Sequence, residues 1–219
     1  MVTATRNPSP PTPRGGLTLA ALRLPAERQP GGRPPAPGDL AVVQAFVNTF
    51  WDLDRGGADR FEDPRMLAEW LSSRGLIGPR ARLDDADLRR TLEVREGLRE
   101  MLFANNGAGP DRPKIDRLNR ALPAAELTVH LNPDTAPGLT VTGSDLDGAL
   151  AAIATVAAVA QLDGRWKRLK ACPGAHCGWS FYDHSRNHAG TWCAMSVCGS
   201  RAKARQYRRR RRSAARRAT

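Results

Sequence analysis

With 219 residues, 41% of them hydrophobic, the chain is long enough for one or two domains around a buried core. Its formal net charge of +12 disfavours cationic substrates and points to an anionic partner. No run of about 18 apolar residues occurs, which argues against a membrane span. The N-terminus also lacks the apolar stretch of a secretion signal, so a cytoplasmic location is expected.

Residues 1–38 hold nine of the 17 prolines and little apolar periodicity. Such a segment buries too little surface to offset its ordering entropy, and disorder is expected. Leu17, Leu19, Leu22 and Leu24 are the exceptions, able to form a local turn. Asp39 reads as the cap of a first helix, with Leu40, Val43, Phe46, Val47, Phe50 and Trp51 on its buried face. Asp63-Pro64 starts a second helix carrying Met66, Leu67, Trp70 and Leu71, and Gly75 stops it. The acids at 84–87 open a long third helix that ends at Asn105-Asn106-Gly107. A shorter helix over about 111–121 follows.

Then the period changes from helical to alternating. Residues 126–131 and 138–142 read as two strands of a hairpin. An alanine-rich helix runs from Ser144 or Asp145 to about Leu162, stopped by Gly164. The fold class predicted is α+β: a mainly helical domain over 39–163 with a small β-hairpin. This domain shows no nucleophile elbow and no phosphate loop, so it is not expected to be an enzyme. His130 reads as structural or exposed. Asn48 and Thr49, polar beside an apolar face, are weak candidates for a pocket wall, with solvent or backbone bonding the competing reading.

The charge is concentrated at the far end. Residues 165–219 contain 15 Lys and Arg against one acid, Asp183, a net +14; residues 1–164 contain 19 basic and 21 acidic groups, a net −2. All four cysteines lie in the same basic segment, as C-x4-C, fifteen residues, C-x4-C: Cys172, Cys177, Cys193 and Cys198. Two close thiolate pairs separated by a loop suit a tetrahedral zinc ion better than two disulfides in a reducing compartment. His176 and His188 could substitute as ligands, but four cysteines already complete a closed, structural site. Trp179, Phe181, Tyr182 and Trp192 are expected to pack around it. Loss of the metal is expected to loosen 166–200 and leave 39–163 folded. Beyond the second pair, Arg201, Arg205 and Arg208 share one helix face, with Lys203 on another, and Arg209 and Arg210 belong to a run of five arginines. These, with Arg186 in the zinc loop, are the candidate nucleic-acid contacts.

Arg168-Leu169-Lys170-Ala171-Cys172 … Cys177-Gly178-Trp179 … Thr191-Trp192-Cys193 … Cys198-Gly199-Ser200-Arg201 closely resembles the CGNR zinc finger, with serine where the family's motif has asparagine. Upstream, Phe46-Val47-Asn48-Thr49, Trp70-Leu71 … Gly75-Leu76 and Arg95-Glu96-Gly97-Leu98-Arg99 resemble the ABATE domain that commonly precedes this finger. Together the resemblances span roughly 39–207. They imply a bacterial, stress-linked, DNA-binding transcription regulator with one structural zinc. The organisation expected is a tail over 1–38, an ABATE-like domain over 39–163, a finger over 165–207 and an Arg-rich tail over 208–219. The first domain is expected to sense a small-molecule effector or to form a homodimer. An RNA-binding or ribosome-associated protein is the alternative.

Overall fold

The computed structural model of the chain describes residues 16–19, 22, 29–52, 58–131, 133, 138–143 and 145–217. The helices are α1 (Leu40–Val47), α2 (Pro64–Ser73), α3 (Asp85–Asn105), α4 (Arg112–Ala121), α5 (Asp145–Leu162) and α6 (Ser200–Arg217). The strands are β1 (Gly16–Thr18), β2 (Leu127–His130), β3 (Gly138–Thr142), β4 (Leu169–Ala171) and β5 (Ser180–Tyr182). The first three form an antiparallel sheet in the order β1-β3-β2, and β4 and β5 form a separate antiparallel hairpin. The fold is thus mainly helical, with small β elements, a four-cysteine cluster and a terminal helix.

The helix starts follow from local chemistry. The Asp63 carboxylate accepts from Met66 N at 2.7 Å, with Pro64 in the first turn. Asp84 accepts from the amides of Ala86 and Asp87, and the Asp87 side chain returns to the Asp84 amide at 3.0 Å, a reciprocal box that opens α3. Asp111 caps α4 with a single bond, its carboxylate accepting from Lys114 N at 3.2 Å. Asp39 does not cap α1: its backbone is already helical, and its carboxylate instead pairs with Arg165 at 3.1 Å. Gly75, with φ of 70°, ends α2 by letting Leu76 N reach back to Leu71 O.

The core lies between α1, α3 and α5 beneath the three-stranded sheet. All eight residues of α1 are buried, so this helix has no solvent face. It stops at Val47, short of the expected end, and Trp51 is 46% exposed rather than part of the buried face. Among the described residues α5 alone is long and apolar enough to cross a membrane, but its Leu150, Ile153 and Val156 are buried in this core. The expectation of disorder over 1–38 fails where that segment is described. Leu17 in β1 pairs with Val141, and Leu19 and Leu22 join the core in a turn closed by Leu22 N to Leu19 O. Leu24 lies outside the described residues.

Helix α4 packs closely on α3 because Gly97 has no side chain. A Cβ there would overlap the Leu118 Cβ. Gly97→Ala gains about 1 kcal/mol of helix propensity, but the overlap involves an atom fixed to the α4 backbone. The net expected result is a loss of about 1–3 kcal/mol, read from the urea midpoint.

Candidate metal centre and nucleic-acid interface

The hairpin β4–β5 carries the first cysteine pair. Cys172 leaves β4, the chain turns through Pro173-Gly174, and Cys177 re-enters ahead of β5, with Cys177 N bonded to Gly174 O at 2.9 Å and Gly178 N to Cys172 O at 3.2 Å. Gly174 is required sterically: a Cβ there would lie 3.0 Å from the Cys198 sulfur. The second pair closes in a wider turn in which Ala194 O accepts from the amides of Val197, Cys198 and Gly199. A Cβ on Gly199 would meet the sulfur of Met195, a flexible and half-exposed side chain that can move aside. Ser200, standing in the asparagine position, donates from its hydroxyl to Met195 O at 3.0 Å and ties this turn to α6.

The four sulfurs lie within 4.8 Å of one another. Cys177 Sγ to Cys193 Sγ is 3.8 Å and Cys193 Sγ to Cys198 Sγ is 3.6 Å. Zinc–sulfur bonds of about 2.3 Å place tetrahedral sulfurs about 3.8 Å apart, whereas a disulfide needs about 2.05 Å. The donor set therefore fits one zinc ion. Hydrogen bonds from the Cys177 and Cys193 thiols pull Cys172 well down, and the same contacts with Cys172 push Cys177 and Cys193 up. A divalent cation supplies the charge that lets all four ionise together. Among the described residues no histidine joins this cluster. Phe181 is buried against the cysteines, with Trp179 and Trp192 partly buried beside it, while Tyr182 belongs to the main core.

A second polar centre braces the loop between the cysteine pairs. Lys170 donates to Asp183 Oδ2 at 2.9 Å, His188 O at 2.6 Å and Gly190 O at 2.9 Å. Asp183 is fully buried and also accepts from the Ser185 hydroxyl and the Gly190 amide. Burial alone would raise its pKa; the bonds from Ser185 and Lys170 outweigh it and hold the carboxyl well below its usual range.

The finger is bolted to the helical domain rather than tethered. Arg99 on α3, 2% exposed, donates to Gly178 O at 2.7 Å, Val47 O at 2.8 Å and Phe50 O. Burial pulls its pKa down and Glu96 pulls it back up. One turn earlier Arg95 clamps both oxygens of Asp59 at 2.7 and 2.6 Å. Gln44 and Asn48 on the other side bond Ser180 O, and Ser180 N donates to Asn48 Oδ1 at 2.7 Å. Asn105 and Asn106 at the end of α3 donate to the carbonyls of Trp166, Leu169, Ala171 and Thr191. Residues 29–38 strap the outside: Trp179 Nε1 donates to Gln29 at 3.0 Å, and Arg33 donates to the carbonyls of Tyr182 and Trp192 while stacking over Phe181.

This network corrects the pocket-wall reading of Asn48 and Thr49. Both are buried. Asn48 holds the β5 backbone, and the Thr49 hydroxyl donates to Phe46 O and accepts from Arg95. Their polar groups are occupied by backbone and by one arginine.

The candidate nucleic-acid residues fall in two places. Arg186 is exposed in the loop between the cysteine pairs, and no hydrogen bond or ion pair among the described residues joins it to α6. Arg201, Lys203, Arg205, Arg208, Arg209 and Arg210 are all exposed on α6. At 3.6 residues per turn, Arg201, Arg205, Arg208, Arg212 and Arg216 lie within an arc of about 80°, while Lys203 and Arg210 point the other way. The expected tail over 208–219 is helical through Arg217, continuous with the second cysteine turn.

Fold and site together define a helical protein with a closed structural zinc centre from which a basic helix projects. The family model described as "Putative stress-induced transcription regulator", ABATE, matches residues 40–164, and the CGNR zinc finger matches residues 168–211. The chain belongs to the ABATE family, in the arrangement with a C-terminal CGNR zinc finger. No curated protein matches it. The Arg99, Gln44 and Lys170–Asp183 contacts escape sequence reasoning, although Arg95 and Arg99 stand in the motif that carries the ABATE resemblance.

Proposed function

We propose that the protein is a DNA-binding transcription regulator, cytoplasmic and nucleoid-associated, that reads duplex DNA with its finger and α6 and catalyses no reaction. The observation that carries this reading is α6. It holds ten basic and no acidic residues in 18, spans about 27 Å, and leaves the zinc-held turn with no intervening linker. A helix of this width enters the major groove, and guanidinium groups match phosphate geometry. The family description supports regulation as the purpose. The ABATE domain controls the finger through the shared network of Arg99, Gln44 and Asn48. Because Asn48 and Thr49 are occupied, no effector pocket is assigned to them.

The test uses the zinc-loaded full chain and its Arg208→Gln/Arg212→Gln/Arg216→Gln variant. Duplex affinity should fall for every sequence, and the slope of log K against log salt should flatten by about 2–3, since each phosphate contact contributes about 0.9. Unchanged slope and affinity, or consistent displacement of DNA by structured RNA, would overturn the reading, the latter in favour of an RNA-binding protein.

A further inference from the structure

A cavity of ≈ 570 Å³ lies between α3, α4, α5 and the β2–β3 hairpin, and its lining contains no Lys, Arg, Asp or Glu, although 26% of the chain is charged. Leu127 and Leu162 line it and are 53% and 90% exposed. Farther along the same strand direction, Val129 is 61% and Leu131 85% exposed. Residues 127 and 129 lie on one side of the sheet, the side that Leu127 shares with its buried partner Val141, and Leu131 directly follows the strand. The sheet's apolar face therefore overhangs its own helices.

Strand β2 is also an edge. The sheet order is β1-β3-β2, and among the described residues nothing pairs with its outer side. Natural edge strands are guarded by charge, proline or a bulge. Leu127 to Leu131 has no charged residue and no proline.

We propose that this face is a homodimer interface, with β2 paired antiparallel to β2 of a second copy across a two-fold axis. Three observations select a second copy as the occupant. The patch holds projecting leucines and a recess side by side, the self-complementarity that a two-fold contact requires. An antiparallel pair about an axis normal to the sheet sends residues 127 and 129 of both strands to the same side, next to both apolar recesses; a small molecule filling one recess would leave Val129, which does not line it, in water. The charge also permits it: +14 of the chain's charge lies in 165–219, whereas residues 1–164 are near neutral at −2. That the dimer presents two α6 helices to one duplex rests on the regulatory reading above; the interface itself does not.

The test is the mass of the zinc-loaded full chain in solution without DNA, by sedimentation equilibrium across micromolar concentrations. The expected mass is twice the 23.8 kDa of one chain. Leu131→Asp and Leu162→Asp, both at exposed positions, should each shift it to the single-chain mass with circular dichroism and zinc content unchanged. A monomeric parent at every concentration would overturn the proposal, as would a dimer untouched by both substitutions, or a monomer from which native mass spectrometry releases a small apolar molecule. A dimer that fails to bind DNA would leave the interface standing and remove the regulatory reading.

Discussion

Cys193→Ser should abolish zinc binding, taking the content from about one ion per chain to none, and the damage should not stop at the finger. Structural zinc in small fingers contributes on the order of 10 kcal/mol, comparable with the whole net stability of a typical domain, about 5–15 kcal/mol. The first cysteine turn is also the partner of buried groups in the helical domain. Gly178 O accepts from Arg99, and Ser180 is held by Asn48 and Gln44. Leu169, Ala171 and Tyr182 sit in the main core. Loosening 168–200 strands these partners, so the expectation of an undisturbed domain over 39–163 gives way to a shared response. Amide exchange should accelerate at Val47 to Phe50 as well as across the finger, and thermal unfolding of the helices should move to lower temperature. A chelator should reproduce both effects in the unsubstituted chain. Helices that melt at an unchanged temperature after zinc loss would show the two parts to be independent.

Arg99→Leu should destabilise the chain by about 3–5 kcal/mol, the usual cost of removing one partner from a buried charged cluster. Three carbonyls, those of Val47, Phe50 and Gly178, lose their donor at once, and Glu96 loses its neighbouring charge. Arg99→Lys should recover little, because one ammonium cannot span carbonyls that the planar fork reaches together. Gly178 directly follows a zinc ligand, so zinc affinity should fall in the same variant, measured by competition with a chromophoric chelator. Urea unfolding reads the stability. A loss below about 1 kcal/mol, the level of an ordinary surface substitution, would mean that the carbonyls find water and that Arg99 is not the bolt described.

What was legible in the sequence was local. Asp63-Pro64 and Asp84 with Asp87 announce helix starts within four residues, and the paired cysteine spacing announces a tetrahedral site without reference to the rest of the chain. The missed features depend on distant partners. β1 is three residues long, too short for any periodic signal, and its pairing with β3 joins residues more than a hundred positions apart. Nothing near Gln44, Arg95 and Arg99 in the sequence marks them as buried; Gln44 and Arg99 are held by carbonyls of the finger and the α1 end, and Arg95 by Asp59. For Asn48, polar beside an apolar face, a pocket wall and backbone bonding are both open in the sequence, and it is the backbone that it bonds. Its partner, Ser180, is 132 residues away. The proline-rich segment looked disordered because nothing in its own composition shows that Gln29 and Arg33 will meet Trp179 and Tyr182.

The regulatory account is tested most directly by mapping, across the genome of the native host, the DNA bound by the full chain. Discrete sites beside promoters are expected, lost when the α6 arginines are replaced by glutamine. Uniform coverage of the chromosome, or recovery of the protein on ribosomal RNA in place of DNA, would contradict it.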